Sequence, residues 1–327
     1  MTIVELKPYM AITYGFTRAI VAQALAKQAG TKQATPAMYS RAGRLIFQGK
    51  AEGLIKPHRQ RGHYYHFTEN ADTTQAEAEK PKGPVLRVAR NTRGRDLIVG
   101  DIHGCFTKLE ARLKEVGFDP EAGDRLFSVG DLVDRGPECD QALIWLQKPW
   151  FFAVAGNHED MAIRWPKGNM NSGNYAANGG AWNIMKSIDE SLEFADAFAD
   201  LPVALELETK AGLVGIVHAH CPFESWQEFT AALEDPNLSN NRRDRIISAA
   251  QWDRSRIAYH PDGPMLNPVE GVRAVVVGHT PLTEPTWCAN VLHIDTAGWH
   301  PSGAGFTVID ADTLCVAETK EAHESTS

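Results

Sequence analysis

Five short apolar runs in this chain end in the same way, and that repetition restricts the fold more than any other feature of the sequence. Leu97 to Val99 runs into Gly-Asp101-Ile-His103-Gly, Leu126 to Val129 into Gly-Asp131-Leu-Val-Asp134-Arg135-Gly, and Phe151 to Val154 into Ala-Gly-Asn157-His158-Glu159. Leu213 to Val217 ends in His218, and Ala274 to Val277 in Gly278-His279. Short runs of this composition, bounded by glycine, read as buried strands. Each delivers a carboxylate, an amide or an imidazole at its carboxyl end, the rim where α/β sheets hold ligands, so one shared site accounts for all five.

Asp101, His103, Asp131, Asn157, His218 and His279 offer oxygen and nitrogen donors and no thiolate. Such a set suits Mn²⁺, Fe or Zn²⁺ and disfavours a closed, sulfur-rich structural site. In order and spacing, Asp-x-His, Gly-Asp-x-x-Asp-Arg-Gly, Gly-Asn-His-Glu and two later histidines resemble the metal-dependent phosphoprotein phosphatases, the calcineurin-like metallophosphoesterases. The likeness is greatest to the small lambda-type serine/threonine phosphatases of bacteria and bacteriophages. It spans roughly Asp96 to Asp310 and includes Asn178-Gly-Gly180 and Trp252-Asp-Arg254.

The resemblance implies a metallophosphoesterase fold of the α/β class: two mixed β-sheets packed face to face as a sandwich, flanked by helices, with metals above the strand ends. Composition alone gives only α/β. It also implies two divalent ions, manganese first and iron or zinc as alternatives. Asp101, His103 and Asp131 would hold one ion; Asp131 as a bridge, with Asn157, His218 and His279, would hold the other. Water between the ions would attack phosphorus directly, without a phosphoenzyme. By the same carry-over Arg135 and Arg254 grip the phosphate oxygens, His158 protonates the leaving group, and Asp134 accepts a hydrogen bond from His158. The chain departs from the related phage enzymes at His220, where they have Asp after His-Ala, and at Asp253, where they have Asn. His220 is expected beside the site as a supporting or substrate contact; His293 and His300 are expected to be structural.

No stretch approaches 18 uninterrupted apolar residues, and the N-terminus lacks a basic segment followed by an apolar one, so a soluble, cytoplasmic protein without membrane contact is expected. Cys105, Cys139, Cys221, Cys288 and Cys315 are odd in number and form no Cys-x-x-Cys, which argues against a disulfide framework and for burial as packing residues.

The net charge of −8 conceals a division, since residues 1–70 carry ten Lys and Arg against three acids. That basic segment has its own pattern. Phe16, Ile20, Ala24 and Lys27 share one face of a helix over 16–29; Thr35-Pro36 reads as an N-cap and first helical residue; Met38, Ala42, Leu45 and Ile46 continue a second helix. His58-Arg-Gln-Arg-Gly-His63 then separates two extended pieces. Helices followed by a basic hairpin suggest a small α+β domain of winged-helix kind, with Arg41, Arg44, Arg59 and Arg61 facing DNA phosphates or a protein partner. Residues 71–84 read as a linker, 85–317 as the catalytic domain and 318–327 as a disordered tail.

Within 85–317, Val85–Ala89 and Asp96–Val99 are expected to pair as a hairpin across Asn91–Gly94. Phe106, Leu109, Leu113 and Val116 recur at helical spacing up to Gly117, and a second helix is expected over Cys139–Leu146. Residues 168–180, rich in Gly and Asn, should form an irregular loop near the site, and 235–245 a solvated loop. The leading function is hydrolysis of Ser/Thr phosphomonoesters in phosphoproteins or phosphopeptides. Its rivals are symmetrical dinucleoside-tetraphosphate hydrolysis and a DNA- or protein-binding regulator whose phosphatase domain has lost activity; the complete residue set argues against loss.

Overall fold

The computed structural model describes residues 18–35, 38, 42, 45, 46, 55–57, 65–67, 83–258, 266–303 and 305–318. The apolar runs form strands in two mixed sheets. One has four strands in the order β12 (Val308–Asp310), β4 (Asp96–Val99), β5 (Arg125–Ser128) and β6 (Phe151–Ala153). The other has six, in the order β10 (Thr286–Cys288), β11 (Val291–His293), β9 (Ala274–Val277), β8 (Gly212–Val217), β7 (Ala204–Thr209) and β3 (Val85–Val88). In the smaller sheet β4, β5 and β6 run parallel and β12 antiparallel; in the larger, β8, β9 and β11 run parallel to one another.

Period-two alternation sorts the side chains into layers. Ile98, Phe127, Leu205, Leu207, Val214, Ile216, Val276 and Leu292 pack between the sheets. Their neighbours Leu97, Val99, Leu126 and Phe151 face outward and are covered by the helices that carry Phe106, Leu109, Leu113, Phe194 and Phe198. On the other side Val217, Val275 and Val277 face Trp226, Phe229, Leu233 and Ile246. A one-residue slip would exchange the two faces, so the register of the ligand-bearing ends is set by burial.

The expected hairpin of Val85–Ala89 with Asp96–Val99 does not form. β3 pairs in parallel with β7 and β4 with β5, in opposite sheets. Asn91 directs the crossing: its Oδ1 accepts from the amides of Arg93 and Gly94, and its Nδ2 donates to Asp96 and to the Gly123 carbonyl. The 168–180 segment is not wholly irregular, because Asn171 caps a short helix, Ser172–Ala177, that buries Tyr175. The polar 235–245 stretch is not a solvated loop at its end. Helix Asn240–Trp252 begins there, and Arg243 donates to the Leu233 and Asp235 carbonyls at the end of the preceding helix, Trp226–Glu234. The helix expected to start at Cys139 is shorter, Gln141–Trp145, while Phe106–Glu115 stops before Gly117 as expected. All five cysteines are free, but Cys105 is only half-buried and Cys315 is exposed.

In the basic segment the first helix is Arg18–Gln28. It buries Val21, Ala22, Leu25 and Ala26 besides Ile20 and Ala24, while Lys27 is exposed, so its buried face is wider than the expected stripe. Thr35 Oγ1 accepts the Met38 amide at 3.4 Å, an N-cap contact. Strands β1 (Ile55–Pro57) and β2 (Tyr65–Phe67) pair antiparallel. Arg41, Arg44, Arg59, Arg61, residues 71–82 and the tail from 319 lie outside the described residues. Among the described residues no helix is long and apolar enough to cross a membrane.

Gly215 in β8 lies under the Trp226 indole, and a Cβ there would meet ring carbons at 2.6–2.7 Å. Gly215→Ala is expected to destabilise by about 1–3 kcal/mol through overpacking, read as a lower urea midpoint at unchanged slope; an unchanged midpoint would show that the indole has room to shift.

Candidate metal centre

β4, β5 and β6 bring Asp101, His103, Asp131 and Asn157 to one rim of the smaller sheet, and β8 and β9 bring His218 and His279 to the same place from the larger one. All six are buried. The turns that aim them are strained: His103, Asp131, Asp134, Arg135 and His279 all adopt positive φ, between 47° and 70°. Non-glycine residues in that region cost free energy and gather where surrounding structure over-determines them. The close approach of the two sheets also demands glycine, since a Cβ at Gly278 would overlap the Asp101 carboxylate.

Asp131 is the common point. Its Oδ2 lies 3.6 Å from His103 Nε2 and 3.7 Å from His158 Nε2, and its Oδ1 lies 3.3 Å from His218 Nε2. Two candidate ligand groups therefore share it, one with His103 and His158, the other with His218 and His279. Asn157 Oδ1 is 2.9 Å from both His218 Nε2 and His279 Nδ1. Asp101 lies 3.9 Å from His103 Nε2, and both of its oxygens accept from the His279 amide at 3.1 Å.

The histidine tautomers follow from backbone carbonyls, which only accept. His103 Nδ1 donates to Val133 O at 2.9 Å, His218 Nδ1 to Val129 O at 2.7 Å, and His279 Nε2 to Trp252 O at 3.2 Å. When neutral, each ring turns its lone-pair nitrogen inward, towards carboxylate oxygens and Asn157 Oδ1. Acceptors facing acceptors in a dry site repel unless a cation stands among them, so this donor set fits a pair of divalent ions. Burial pushes His103 well below the usual imidazole range, and burial together with neighbouring His218 pushes His279 down to about 3. Burial acts on His218 the same way, but the charge and hydrogen bond of Asp131 outweigh it and raise it. Burial would raise Asp131, yet His218, His158 and His103 hold it well below the carboxylate range.

His158 Nδ1 meets Asp134 Oδ2 at 2.6 Å, and Trp182 Nε1 donates to the other Asp134 oxygen at 2.6 Å. Arg135 donates to His103 Nε2 at 2.8 Å and to His158 Nε2 at 3.3 Å, with its guanidinium 4.4 Å from the centre of the Trp299 ring. Arg254 is exposed beyond the end of helix Asn240–Trp252, within electrostatic reach of His279. His220 stands outside this group, in a separate cavity of about 260 Å³ with Cys221, Phe223 and Arg256. His293 is buried and His300 exposed.

Sequence reasoning missed Trp182, Trp299, Asp295 and the task of Glu159. Glu159 is buried and accepts the amides of Asp131, Leu132 and Gly156 at 2.8–2.9 Å, tying two ligand loops together, while burial and the Asp131 charge raise it to about 7. Only Asp295 had a legible signal, because Val291 to Ile294 followed by Asp295 repeats the strand-to-carboxylate ending of the other five runs.

A sandwich of mixed sheets holding two ligand groups that share one carboxylate at the strand ends defines a metal-dependent phosphoesterase. The chain belongs to the calcineurin-like phosphoesterase family, whose profile matches residues 95–282, and whose members use a dinuclear divalent metal centre. It is 32% identical over 213 residues to serine/threonine-protein phosphatase 2 of Salmonella typhimurium, covering 64% of this chain and 90% of that one. It is 34% identical over 202 residues to serine/threonine-protein phosphatase 1 of the same organism, covering 61% and 84%. A symmetrical bis(5'-nucleosyl)-tetraphosphatase of Thioalkalivibrio sulfidiphilus is 48% identical over 63 residues, 19% of this chain and 23% of that one.

A Cβ at Gly179, whose φ is +96°, would overlap the Arg135 backbone nitrogen. Gly179→Ala is expected to displace Arg135 and raise KM for a phosphomonoester several-fold, roughly the loss of one charge-assisted hydrogen bond, while bound metal measured by atomic emission stays unchanged.

Proposed function

We propose that the chain is a metal-dependent protein serine/threonine phosphatase, with Asp101, His103 and Asp131 holding one divalent ion, and Asp131, Asn157, His218 and His279 the other. Manganese is the expected metal. The observation that carries the reading is the His158–Asp134 pair beside the shared Asp131, because it supplies a proton donor where a leaving oxygen would depart. Bound ions supply positive charge to the phosphoryl oxygens and acidify water at the centre. Arg135, braced on Trp299, would exchange its contacts with His103 and His158 for the phosphate oxygens, and Arg254 would close from the His279 side. His158, its Nδ1 fixed on Asp134, turns Nε2 inward and, once protonated there and released from Arg135, would give that proton to the departing alkoxide.

The choice of phosphoprotein over dinucleoside tetraphosphate is supported by identity and not by extent: the Salmonella phosphatases are 32–34% identical over 84–90% of their length, whereas an asymmetrical bis(5'-nucleosyl)-tetraphosphatase of Anoxybacillus flavithermus is covered to 84% at 27% identity. The basic segment, with its helix and β1–β2 hairpin, is proposed as a winged-helix module that brings the enzyme to DNA or to a protein.

Stripping with EDTA should abolish hydrolysis of a phosphoserine peptide, and Mn²⁺ should restore it in the parent and not in Asp131→Asn. Turnover of diadenosine tetraphosphate with silence on the peptide would replace this reading by the tetraphosphatase. His158→Asn is expected to lower kcat by ~10²–10⁴-fold with metal content intact; full turnover would remove His158 from the proton-transfer role.

A further inference from the structure

We infer that Asp295 is a further ligand of the metal centre, binding the same ion as Asp101 and His103. The inference rests on the two-metal reading and adds a residue to it. Asp295 lies just past the end of β11, which runs parallel to β9 with His293 opposite Val277. That register carries the chain on beside Gly278 and His279, where Ile294 donates to the Val277 carbonyl at 2.8 Å. It also passes the end of β4, since a Cβ on Gly100 would lie 2.7 Å from the Ile294 carbonyl and 3.3 Å from the Asp295 Cα. Asp295 is thus delivered to the rim by a sixth strand, beside Asp101.

Its two oxygens have different surroundings. Oδ1 accepts the Ala297 amide at 2.9 Å, an ordinary turn contact. Oδ2 is shielded from water and, unless the Asp101 carboxyl carries a proton, has no hydrogen-bond donor among the described residues. The side chain instead meets that of Asp101, with Asp131 adding a third negative charge close by. Asp101 takes only the weak, shared donation of one amide. Arg135 is the cation felt by both carboxyls, but its fork is engaged by His103 and His158. Two carboxylates packed together in a dry site must share a proton or a cation. A role confined to the turn would account for Oδ1 and leave Oδ2 unexplained.

The test compares Mn²⁺ binding to the full-length parent, Asp295→Asn and Asp101→Asn, by isothermal titration and by electron paramagnetic resonance of the bound ion, alongside melting temperatures with and without metal. The amide variant keeps the shape and the Oδ1 contact with Ala297. The parent should bind two ions, and Asp295→Asn should bind one with parental affinity and the other at least ~10-fold more weakly. Its metal-free melting temperature should match or exceed the parent's, because a buried negative charge is removed, and the rise on adding metal should shrink. Parental affinity at both sites in Asp295→Asn, with a site lost in Asp101→Asn, would overturn the assignment while leaving the two-metal centre standing. So would a lowered metal-free melting temperature with unchanged affinity, the mark of a turn residue. A parent that binds no Mn²⁺ would bring down the two-metal reading itself.

Discussion

Asp131 is a carboxylate buried where the ends of both sheets meet, and the rest of the structure is arranged to keep it ionised. Burial alone would drive it to take up a proton; His218, raised in turn by the Asp131 charge and hydrogen bond, opposes that most strongly. The His158 amide donates to its Oδ1 at 3.1 Å, and Glu159 holds its own amide from below. The left-handed backbone at Asp131 is what turns the side chain from strand direction into the gap between sheets. Strain of this kind is sustained only by a rigid frame, and the intersheet layer around Phe127, Val129 and Val276 provides one.

The surrounding groups divide by what they touch. Three histidines spend one ring nitrogen on a backbone carbonyl and present the other inward, so the main chain decides which nitrogen faces the cluster. His158 instead leans on Asp134, whose second oxygen is taken by Trp182. Four histidines of one cluster thereby differ in their outward contacts, three on backbone carbonyls and one on a carboxylate.

Much of this was legible because the site residues are punctuation at the ends of strands, where periodicity stops and glycine intervenes. The two-sheet arrangement came from resemblance, and the pairing of β3 shows why pattern alone fell short: its neighbour β7 lies more than a hundred residues away, while the adjacent β4 offers an equally apolar partner. Trp182 and Trp299 were invisible for a similar reason. Trp182 reaches the centre from the one-turn helix Ala181–Ile184 and Trp299 from a turn, and neither segment is long enough to have a period that betrays its target. The polar 235–245 stretch was read as solvated, which holds for exposed Arg242 and Arg245 and fails at Arg243, whose donors go to the end of the previous helix.

The chain beyond residue 282 completes the site although the family profile ends there. β12 pairs antiparallel with β4 and covers the edge of the strand that carries Asp101 and His103. Between β11 and β12 the chain supplies Asp295 against Asp101 and Trp299 against both Arg135 and His103. The first ligand strand is therefore held between β5, its near neighbour in sequence, and β12, which comes about two hundred residues later. Closure of so long a loop is entropically costly and pays only when the distant partner is specific. Here the specificity lies in burial: Ile98 and Ile309, paired in register, both enter the intersheet layer, so the strand that covers the candidate metal centre is the one that also completes the core.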